Sequence, residues 1–273
     1  MRLVRATLVL ALAAWAALAA QASPVAFVAD IRGNATIEGD GKLTFLAELA
    51  AGTRLLLGTN ATAAITYATS GAEFSIVGPG QFMVSADEVT AEKGSKPKRR
   101  TVAALGTTGV VARAAQTATA SLRMRGLTPG TTPPVLEYPV ATRVSTLRPT
   151  MRWRANPGEE YTVVLQDTSG KELWKGRGSG AGTRLPVSLA AQSRYTWSVA
   201  GSRGPLGEAE FETLPAEAIR RAEKSRTAAA TFPDRVVHAL LLQELGADHE
   251  AREAWGDLSR ERPDMPELPA LAR

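Results

Sequence analysis

Residues 63–82 read AAITYATSGAEFSIVGPGQF, and this stretch decides the fold class of the first half of the chain. On each side of the turn at Ser70-Gly71, apolar residues alternate with small or polar ones: Ala63, Ile65, Tyr67, Phe74 and Ile76. A period of two residues is typical of a β-strand with one buried face, and glycine marks the turns between strands. The stretch therefore predicts two short strands joined by a tight turn.

The same pattern extends in both directions, over residues 24–92. Short alternating runs such as Phe27, Ala29 and Ile31 are separated by frequent glycines, and no apolar stripe of helical period interrupts them. Many short strands between turn signals are typical of all-β domains. The pattern predicts a sandwich, a barrel-like sheet or a β-solenoid, and it does not choose among the three.

The order of these turns is similar to that of a known family. The segment GTRLLLG at residues 52–58, the turn at Ser70-Gly71 and the corner at Gly78-Pro79-Gly80 resemble the turns of the FecR-type periplasmic domain. The resemblance covers about residues 25–92. It implies an all-β fold and an exported, non-catalytic role.

The first residues of the chain have the composition of a secretory signal peptide. Arg2 and Arg5 both precede an apolar run over residues 6–20. Ala22 is the last residue of the cleavage site of small residues that follows this run. The run is shorter than the roughly 20 residues that a helix needs to cross a bilayer. We predict a signal peptide over residues 1–22, cleavage between Ala22 and Ser23, and a periplasmic or secreted protein without an integral membrane span after cleavage. An uncleaved N-terminal anchor is the alternative.

Composition narrows the chemistry that is possible. The chain has 273 residues and no cysteine, which excludes a thiol nucleophile, a zinc–thiolate site and a lipid-attachment cysteine. The formal charge of +5 falls to +3 once Arg2 and Arg5 leave with the signal peptide, and this excess is too small to predict nucleic-acid binding. Basic residues cluster in one segment: Lys93, Lys96, Lys98, Arg99 and Arg100. We predict a solvated hairpin tip there, with contact to an anionic polymer as the alternative.

Two further β regions are expected. Residues 101–125 are rich in Val, Thr and Ala, which predicts two more strands and a first domain over residues 23–125. Residues 126–148 begin with a Pro- and Gly-rich stretch and are predicted to be a linker; the alternative for residues 135–144 is that they supply a strand to the domain that follows. Residues 149–214 resemble a fibronectin type III-like domain, which implies a sandwich with three aromatic residues in its core: Trp153, Tyr195 and Trp197. Exposure of these rings for sugar stacking is the alternative.

From residue 215 to residue 273 the pattern is that of helices. Apolar residues recur with helical spacing over residues 234–245 and 248–261; Gly246 ends the first helix, Asp248 caps the second and Pro263 stops it. Residues 232–264 resemble a single tetratricopeptide-type repeat. Because an array needs at least about three repeats for stability, we expect this hairpin to pack on a neighbouring domain, on itself or on a partner protein.

Four residues of this helical region are the candidate partner contacts: Leu241, Leu245, Trp255 and Leu258. The proposed mechanism is helix-in-groove recognition, and the alternative is that the same side chains form the core of the hairpin. On the first hypothesis, deletion of residues 215–273 abolishes partner capture and leaves the β domains folded.

The residue types that catalysis or metal binding would use are few. His238 and His249 are the only histidines, and the HExxH zinc signature that begins at His249 is incomplete because residue 253 is glutamate. Residues 176–181, GRGSGA, match a dinucleotide-binding pattern, but no helix is predicted after them, which favours a hairpin loop. Glu159 and Glu160 follow a predicted turn. We predict no catalytic residue, no cofactor and no metal site; a hydrolase with dispersed carboxylates is the alternative.

The sequence as a whole predicts a mainly β protein with an α-helical C-terminal tail: a FecR-like all-β domain, a β-sandwich and a helical hairpin. The predicted function is a non-catalytic protein-interaction or scaffold module of the cell envelope, with envelope proteins as partners. The first alternative is a module that binds glycan or peptidoglycan, with a cell-wall polymer as its partner. The second is a FecR-like regulatory or signalling protein.

Overall fold

The computed structural model describes residues 23–123 and 135–273. Over these residues the chain is mainly β with a helical C-terminal tail, which confirms the predicted fold class. The predicted signal peptide, residues 1–22, lies outside the described residues, and so does the first part of the predicted linker, residues 124–134. We name three parts by their residues: the N-terminal β unit (23–105), the second β unit (135–214) and the helical tail (215–273).

Two sheets build the N-terminal β unit. Its strands are β1 (Pro24–Arg32), β2 (Ala35–Ile37), β3 (Gly41–Lys42), β4 (Glu48–Ala50), β5 (Arg54–Leu57), β6 (Thr62–Tyr67), β7 (Ala72–Val77), β8 (Gly80–Val84), β9 (Val89–Lys93) and β10 (Lys98–Thr101). Sheet I has the order β10-β7-β6-β1-β4, and sheet II has the order β3-β2-β5-β8-β9. All the paired strands in both sheets are antiparallel.

The stretch that predicted a strand pair forms β6 and β7. Ile65 lies opposite Phe74 in the antiparallel register, and the chain reverses at Ser70-Gly71. Gly71 has a φ of +68°, and a Cβ at this position would lie 2.5 Å from the carbonyl oxygen of Val102. The turn therefore requires glycine, because both its backbone angle and the close approach of the following chain exclude a side chain.

Sheet I is buried on both faces. Ala26 and Val28 of β1 pack toward sheet II, whereas Phe27 and Ala29 of the same strand pack against helices. Successive side chains of a strand point to opposite faces, so the run of apolar residues in β1 serves two separate cores. The N-terminal β unit and its helices thus form three layers: sheet II, sheet I and the helices.

Residues 101–125 differ from the prediction. Of residues 101–123, the part that the structure describes, none after Thr101 belongs to a strand; instead Gly109–Arg123 forms helix α1. The buried side chains of α1 lie on one face: Val110, Val111, Ala114 and Ala118. Their contact with the helical tail outweighs the preference of valine and threonine for strands, so the prediction of two strands is wrong.

The second β unit is also built of two sheets. Its strands are β11 (Leu136–Tyr138), β12 (Thr142–Val144), β13 (Thr150–Trp153), β14 (Glu160–Asp167), β15 (Glu172–Ser179), β16 (Gly182–Arg184), β17 (Arg194–Gly201) and β18 (Gly204–Thr213). Sheet III has the order β11-β13-β16, and sheet IV has the order β12-β18-β17-β14-β15. Because β11 and β12 pair within these sheets, the described residues 135–148 belong to the second β unit. Their assignment to a linker is wrong, and the alternative, that residues 135–144 supply a strand to this unit, is confirmed.

The aromatic residues of the second β unit fill its core. Trp153 and Trp197 are fully buried and Tyr195 is 5% exposed. Trp197 donates its indole N–H to the carbonyl oxygen of Pro139 over 2.6 Å, so its polar group is satisfied inside the core. The prediction that these three rings fill the core is confirmed, and they are not available for sugar stacking.

Four helices form the helical tail: α2 (Ala216–Ala228), α3 (Phe232–Leu245), α4 (Asp248–Glu261) and α5 (Leu268–Leu271). Thr231 and Asp234 form a capping box at the start of α3, and Gly246 ends that helix with a φ of 77°, as predicted. Asp248 is the first residue of α4 rather than its N-cap, which is Ala247. The predicted boundaries of the two amphipathic helices are otherwise close to those observed.

The helical tail packs on sheet I. Phe45 of the N-terminal β unit contacts the rings of Phe232 and Trp255, with centroids 6.5 Å and 6.4 Å away. One hydrophobic cluster contains residues of β1, β6, α1 and α3 to α5. Of the three packing partners expected for the hairpin, two are observed: its helices pack on one another and on the neighbouring β unit.

Candidate functional site

A cleft of about 940 Å³ lies between sheet III and the helical tail. One wall is formed by β13, β16 and the segment that leads into β13. The other is formed by α2, α3 and α4. Its volume falls in the range of roughly 300–1,000 Å³ that is typical of ligand pockets in proteins.

The sheet wall of the cleft is basic. Arg148, Thr150 and Arg152 are alternate residues that line the cleft, whereas Met151 and Trp153 are fully buried in the core on the opposite face. Arg184 of β16 lies opposite Thr150 in the antiparallel register and also lines the cleft. The two-residue period of β13 places Thr150 and Arg152 on the cleft side, and Arg148 before the strand and Arg184 on the neighbouring strand line the same wall.

The apolar surface of the cleft lies on the helix wall. The apolar lining residues on the helices are Ile219, Ala222, Leu242 and Ala254. Ala222 and Leu242 are buried in the small hydrophobic cluster that joins α2, α3 and α4. This wall is therefore fixed by the packing of the three helices.

One end of the cleft is closed by polar contacts between the second β unit and α4. Glu250 accepts hydrogen bonds from the hydroxyl of Tyr138 over 2.6 Å and from the backbone N–H of Ser145 over 3.0 Å. Burial and the adjacent Glu250 carboxylate raise the pKa of Tyr138, which keeps its hydroxyl protonated and able to donate. Arg152 stacks over the Tyr138 ring, 4.9 Å from its centroid, and contacts His249.

The carboxylates near the helix wall are already engaged. Glu253 pairs with Arg152 at 2.5 Å, and Glu223 pairs with Arg226 at 2.7 Å. Asp257 pairs with Arg260. By contrast, the side chains of Arg148 and Arg184 form no ion pair or hydrogen bond with any residue that the structure describes. The charge left without a partner in the cleft is therefore positive.

The cleft also contains His238, which does not form a catalytic pair. Its Nδ1 lies 3.2 Å from the hydroxyl oxygen of Ser225, and burial lowers the pKa of His238. Ser225, however, is only 4% exposed and lies within helix α2. A substrate carbonyl cannot approach a hydroxyl that is covered by its own helix, so this contact stabilises the helix pair rather than a nucleophile.

Three of the four predicted partner contacts are buried inside the chain. Leu241, Trp255 and Leu258 are at most 1% exposed and belong to the cluster shared with sheet I, and the half-buried Leu245 packs against the same cluster. Their helical period reflects an intramolecular core, because the N-terminal β unit offers them an apolar face. A partner cannot reach Leu241, Trp255 and Leu258 while the tail is docked, so their assignment as partner contacts is corrected, whereas that of the half-buried Leu245 stays a prediction.

The basic segment at residues 93–100 is solvated but is not a hairpin tip. β9 belongs to sheet II and β10 to sheet I, so the segment connects the two sheets. Lys93, Lys96, Lys98 and Arg99 are exposed. Arg100 instead turns inward, where it donates to both carboxylate oxygens of buried Glu73 over 2.7 Å and 2.9 Å.

The remaining candidates from the sequence occupy turns and strands. Residues 176–181 span the end of β15 and the turn before β16, with no helix after them, as expected for a hairpin loop. Glu159 accepts hydrogen bonds from Asn156, Ser202 and Tyr161, which lower its pKa to about 2. A carboxylate held in its ionised form does not act as a general acid near neutral pH. Glu160 is exposed and lies 3.9 Å from Arg177.

Neither a metal site nor a membrane-spanning helix occurs among the described residues. No group of three His, Asp or Glu side chains in residues 23–123 and 135–273 is arranged to hold a metal ion. In the same part of the chain, the helices are all too short or too polar to span a bilayer.

Sequence reasoning missed the cleft because it assigned Arg148 to a linker. The signal that was present is the alternation of Arg148, Thr150 and Arg152 with the buried Met151 and Trp153. That alternation identifies a strand with one basic face, although it does not reveal that helices lie opposite. No protein-family model matches this chain, and no curated protein matches it.

Proposed function

We propose that this chain is an exported, non-catalytic protein-interaction module of the cell envelope. In this proposal a segment of an envelope protein binds in the cleft between sheet III and the helical tail. The tail holds the two β units in a fixed relation and supplies the apolar wall. The buried residues Leu241, Trp255 and Leu258 support the platform and do not contact the partner.

The observation that carries the proposal is the construction of the cleft. Its walls come from two separate parts of the chain, it combines an apolar surface with unpaired arginines, and its volume is about 940 Å³. Sites that combine apolar surface with a few oriented polar groups are typical of binding.

The contacts of the helical tail support a rigid platform. Arg100 donates to Asp234 of α3 over 3.0 Å, which connects the tail to the N-terminal β unit. Tyr138 donates to Glu250 of α4, which connects the tail to the second β unit. A binding site between two parts of a chain is preorganised when such contacts fix both walls, and preorganisation lowers the entropic cost of binding.

The domain assignments belong to the same proposal. We assign residues 25–92 to a FecR-type domain, residues 149–214 to the core of a fibronectin type III-like sandwich, and residues 232–264 to a single tetratricopeptide-like hairpin. The proposed location is the periplasm or the exterior of the cell. Its support is the composition of residues 1–22.

Site-specific photo-crosslinking in the native envelope tests the proposal. Benzoylphenylalanine would replace Ala229, a half-buried residue that lines the cleft, and in a matched control it would replace Val77, which is 48% exposed on β7. We expect a discrete protein adduct from position 229 and not from position 77. The absence of an adduct from position 229, or identical adducts from both positions, would contradict the proposal.

A second candidate function is the binding of an anionic cell-wall polymer by the basic segment. Lys93, Lys96, Lys98 and Arg99 are exposed without an ion pair to any described residue, which is the observation that favours it. Gly94 anchors the segment: its φ is +103°, and a Cβ there would lie 2.8 Å from the carbonyl oxygen of Pro79. The backbone of the segment is therefore held against the corner at Pro79.

Sedimentation with purified cell wall separates the two functions. If the basic segment binds the polymer, the protein sediments with the wall, and replacement of Lys93, Lys96 and Lys98 by glutamine releases it, with a steep dependence on salt. Replacement of Arg148 and Arg184 by glutamine provides the matched control, because it removes basic charge from the cleft only. Protein that stays in the supernatant at low salt argues against the polymer.

A further inference from the structure

We infer that the cleft is selective for an acidic segment of the partner protein in which carboxylate side chains alternate with apolar ones. This inference rests on the proposed function and names the chemistry of the partner. The segment is expected to lie along β13 with its carboxylates at Arg148 and Arg184 and its apolar side chains on the helix wall.

The unpaired arginines lie on either side of Thr150. Arg148 precedes β13, which begins at Thr150, and Arg184 lies opposite Thr150 on β16. Arg152, further along β13, is held by Glu253. An extended peptide directs alternate side chains to the same face, so two of its carboxylates can face Arg148 and Arg184 while the side chains between them face the helices.

Two guanidinium groups in the cleft are left without an acceptor. Arg148 and Arg184 have no acceptor among the described residues, whereas Arg152 and Arg235 are held by Glu253 and Glu261. Guanidinium groups form their strongest hydrogen bonds with carboxylates, often through two parallel N–H donors. An occupant rich in carboxylate oxygens therefore complements this surface.

The acidic residues across the cleft do not cancel this preference. Glu223 and Glu253 are each held by an arginine, and Glu250 is held by Tyr138 and Ser145. An incoming carboxylate therefore faces acidic groups that are already neutralised or hydrogen-bonded, while Arg148 and Arg184 remain free to pair with it.

The apolar wall distinguishes a peptide from an acidic polysaccharide. The half-buried Ile219 and Ala254 offer surface that gains free energy only when apolar groups cover it, at roughly 25 cal/mol per Å². A polymer of uronic acids carries carboxylates without aliphatic side chains, so it would leave this wall in contact with water. A peptide that alternates acidic and aliphatic residues satisfies both walls.

Fluorescence anisotropy with the purified full-length mature protein tests the inference. The probe is a labelled nine-residue peptide that alternates glutamate and leucine, and the matched peptide alternates glutamine and leucine. We expect at least tenfold tighter binding of the acidic peptide, and an affinity that falls as salt is raised. The double replacement Arg148→Gln and Arg184→Gln should weaken the binding of the acidic peptide at least tenfold.

The control variant is Arg177→Gln, whose side chain is 82% exposed on β15 away from the cleft. It should bind the acidic peptide as the unmodified protein does. The double replacement Arg148→Glu and Arg184→Glu should reverse the preference, so that a peptide alternating lysine and leucine binds more tightly than the acidic one. Circular dichroism confirms that the variants are folded, which is expected because both arginines are exposed.

Each remaining outcome overturns the inference. Equal affinity for the acidic and neutral peptides, or an unchanged affinity after both arginines are replaced by glutamine, removes the charge selectivity. Tighter binding of polygalacturonate than of the peptide, abolished by the same variant, assigns the cleft to a polysaccharide. If Ala229 crosslinks a protein but the acidic peptide has no preference, the proposed function stands and only the chemistry of the partner is wrong.

Discussion

Arg262, which follows α4, donates from Nη1 to Oδ1 of Asp30 in β1 over 2.7 Å, although the two residues are 232 positions apart. The side chains are 9% and 16% exposed, respectively. Asp264 and Asp30 both raise the pKa of Arg262, and Arg262 also lies 5.2 Å from the centroid of the Phe232 ring. The pair connects the end of the helical tail to the first strand.

The variant Arg262→Met should lower the free energy of unfolding by up to about 3 kcal/mol, because it removes the nearer counter-charge of the mostly buried Asp30 and leaves it the more distant, exposed Arg32, 3.7 Å away. Urea denaturation measures the change. In the matched control, Arg260→Met, the side chain is 75% exposed, and we expect a change within about 0.5 kcal/mol. Similar losses in the two variants would show that the Arg262 contact contributes little.

Trp255 is the centre of the contact between the tail and sheet I. It is fully buried, and its indole N–H has no hydrogen-bond partner among the described residues. We expect Trp255→Ala to cost about 3–5 kcal/mol because of the cavity it leaves. Trp255→Phe keeps most of the packing and removes an unsatisfied donor, so it should cost about 1 kcal/mol or less. Equal costs for the two variants, measured by thermal denaturation, would contradict this account.

Deletion of residues 215–273 should destabilise the N-terminal β unit, contrary to the expectation from the sequence. The deletion uncovers the outer face of sheet I, including Phe27, Phe45 and Leu46. The second β unit has a separate core and should remain folded. Limited proteolysis followed by mass spectrometry distinguishes the two units. Cleavage within residues 135–214 earlier than within residues 23–105 would contradict this prediction.

Stability should fall as the pH is lowered through about 6.5. Burial lowers the pKa of His238 and of His249 from the ordinary value of 6.5. As pH falls below that value, the unfolded chain binds protons that the folded chain does not, so the free energy of unfolding decreases until the lowered pKa values are reached. The charged neighbours of His238 are Glu223 and Arg226; those of His249 are Glu253, Arg152 and Arg252.

The variants His238→Gln and His249→Gln test this pH dependence. Each should reduce the loss of stability between pH 7.5 and pH 5.5, and the double variant should reduce it further. Urea denaturation at the two pH values gives the difference, and comparison with the unmodified protein removes the contribution of carboxylates. A loss that is the same in the double variant would assign the effect to other groups.

The sequence predicted much of the architecture because many elements have strong local signals. The alternation at Ile65 and Phe74 produced the correct strands, and Gly246 marked the end of α3. Helix α1 was missed because its valines and threonines favour strands in isolation, and only the helical tail gives its buried face a partner.

The cleft could be predicted only in part, for a related reason. Each wall has a local pattern, such as the alternation of Arg148 and Arg152 with Met151. The distance between the walls depends on how the tail crosses two β units, and this follows from long-range contacts such as Tyr138 with Glu250. No periodicity in a single segment encodes that arrangement.

The double burial of sheet I has a consequence for the order in which the protein is made. Ribosomes synthesise β1 first and the helices α3 to α5, which complete the cluster on its outer face, last, so Phe27 and Ala29 wait for more than 200 residues before these helices exist. Until then the outer face of β1, the first strand to be synthesised, is an incompletely covered apolar surface to which other chains can bind. Such a chain needs either rapid synthesis of its C-terminal helices or a chaperone that covers β1 until those helices are made.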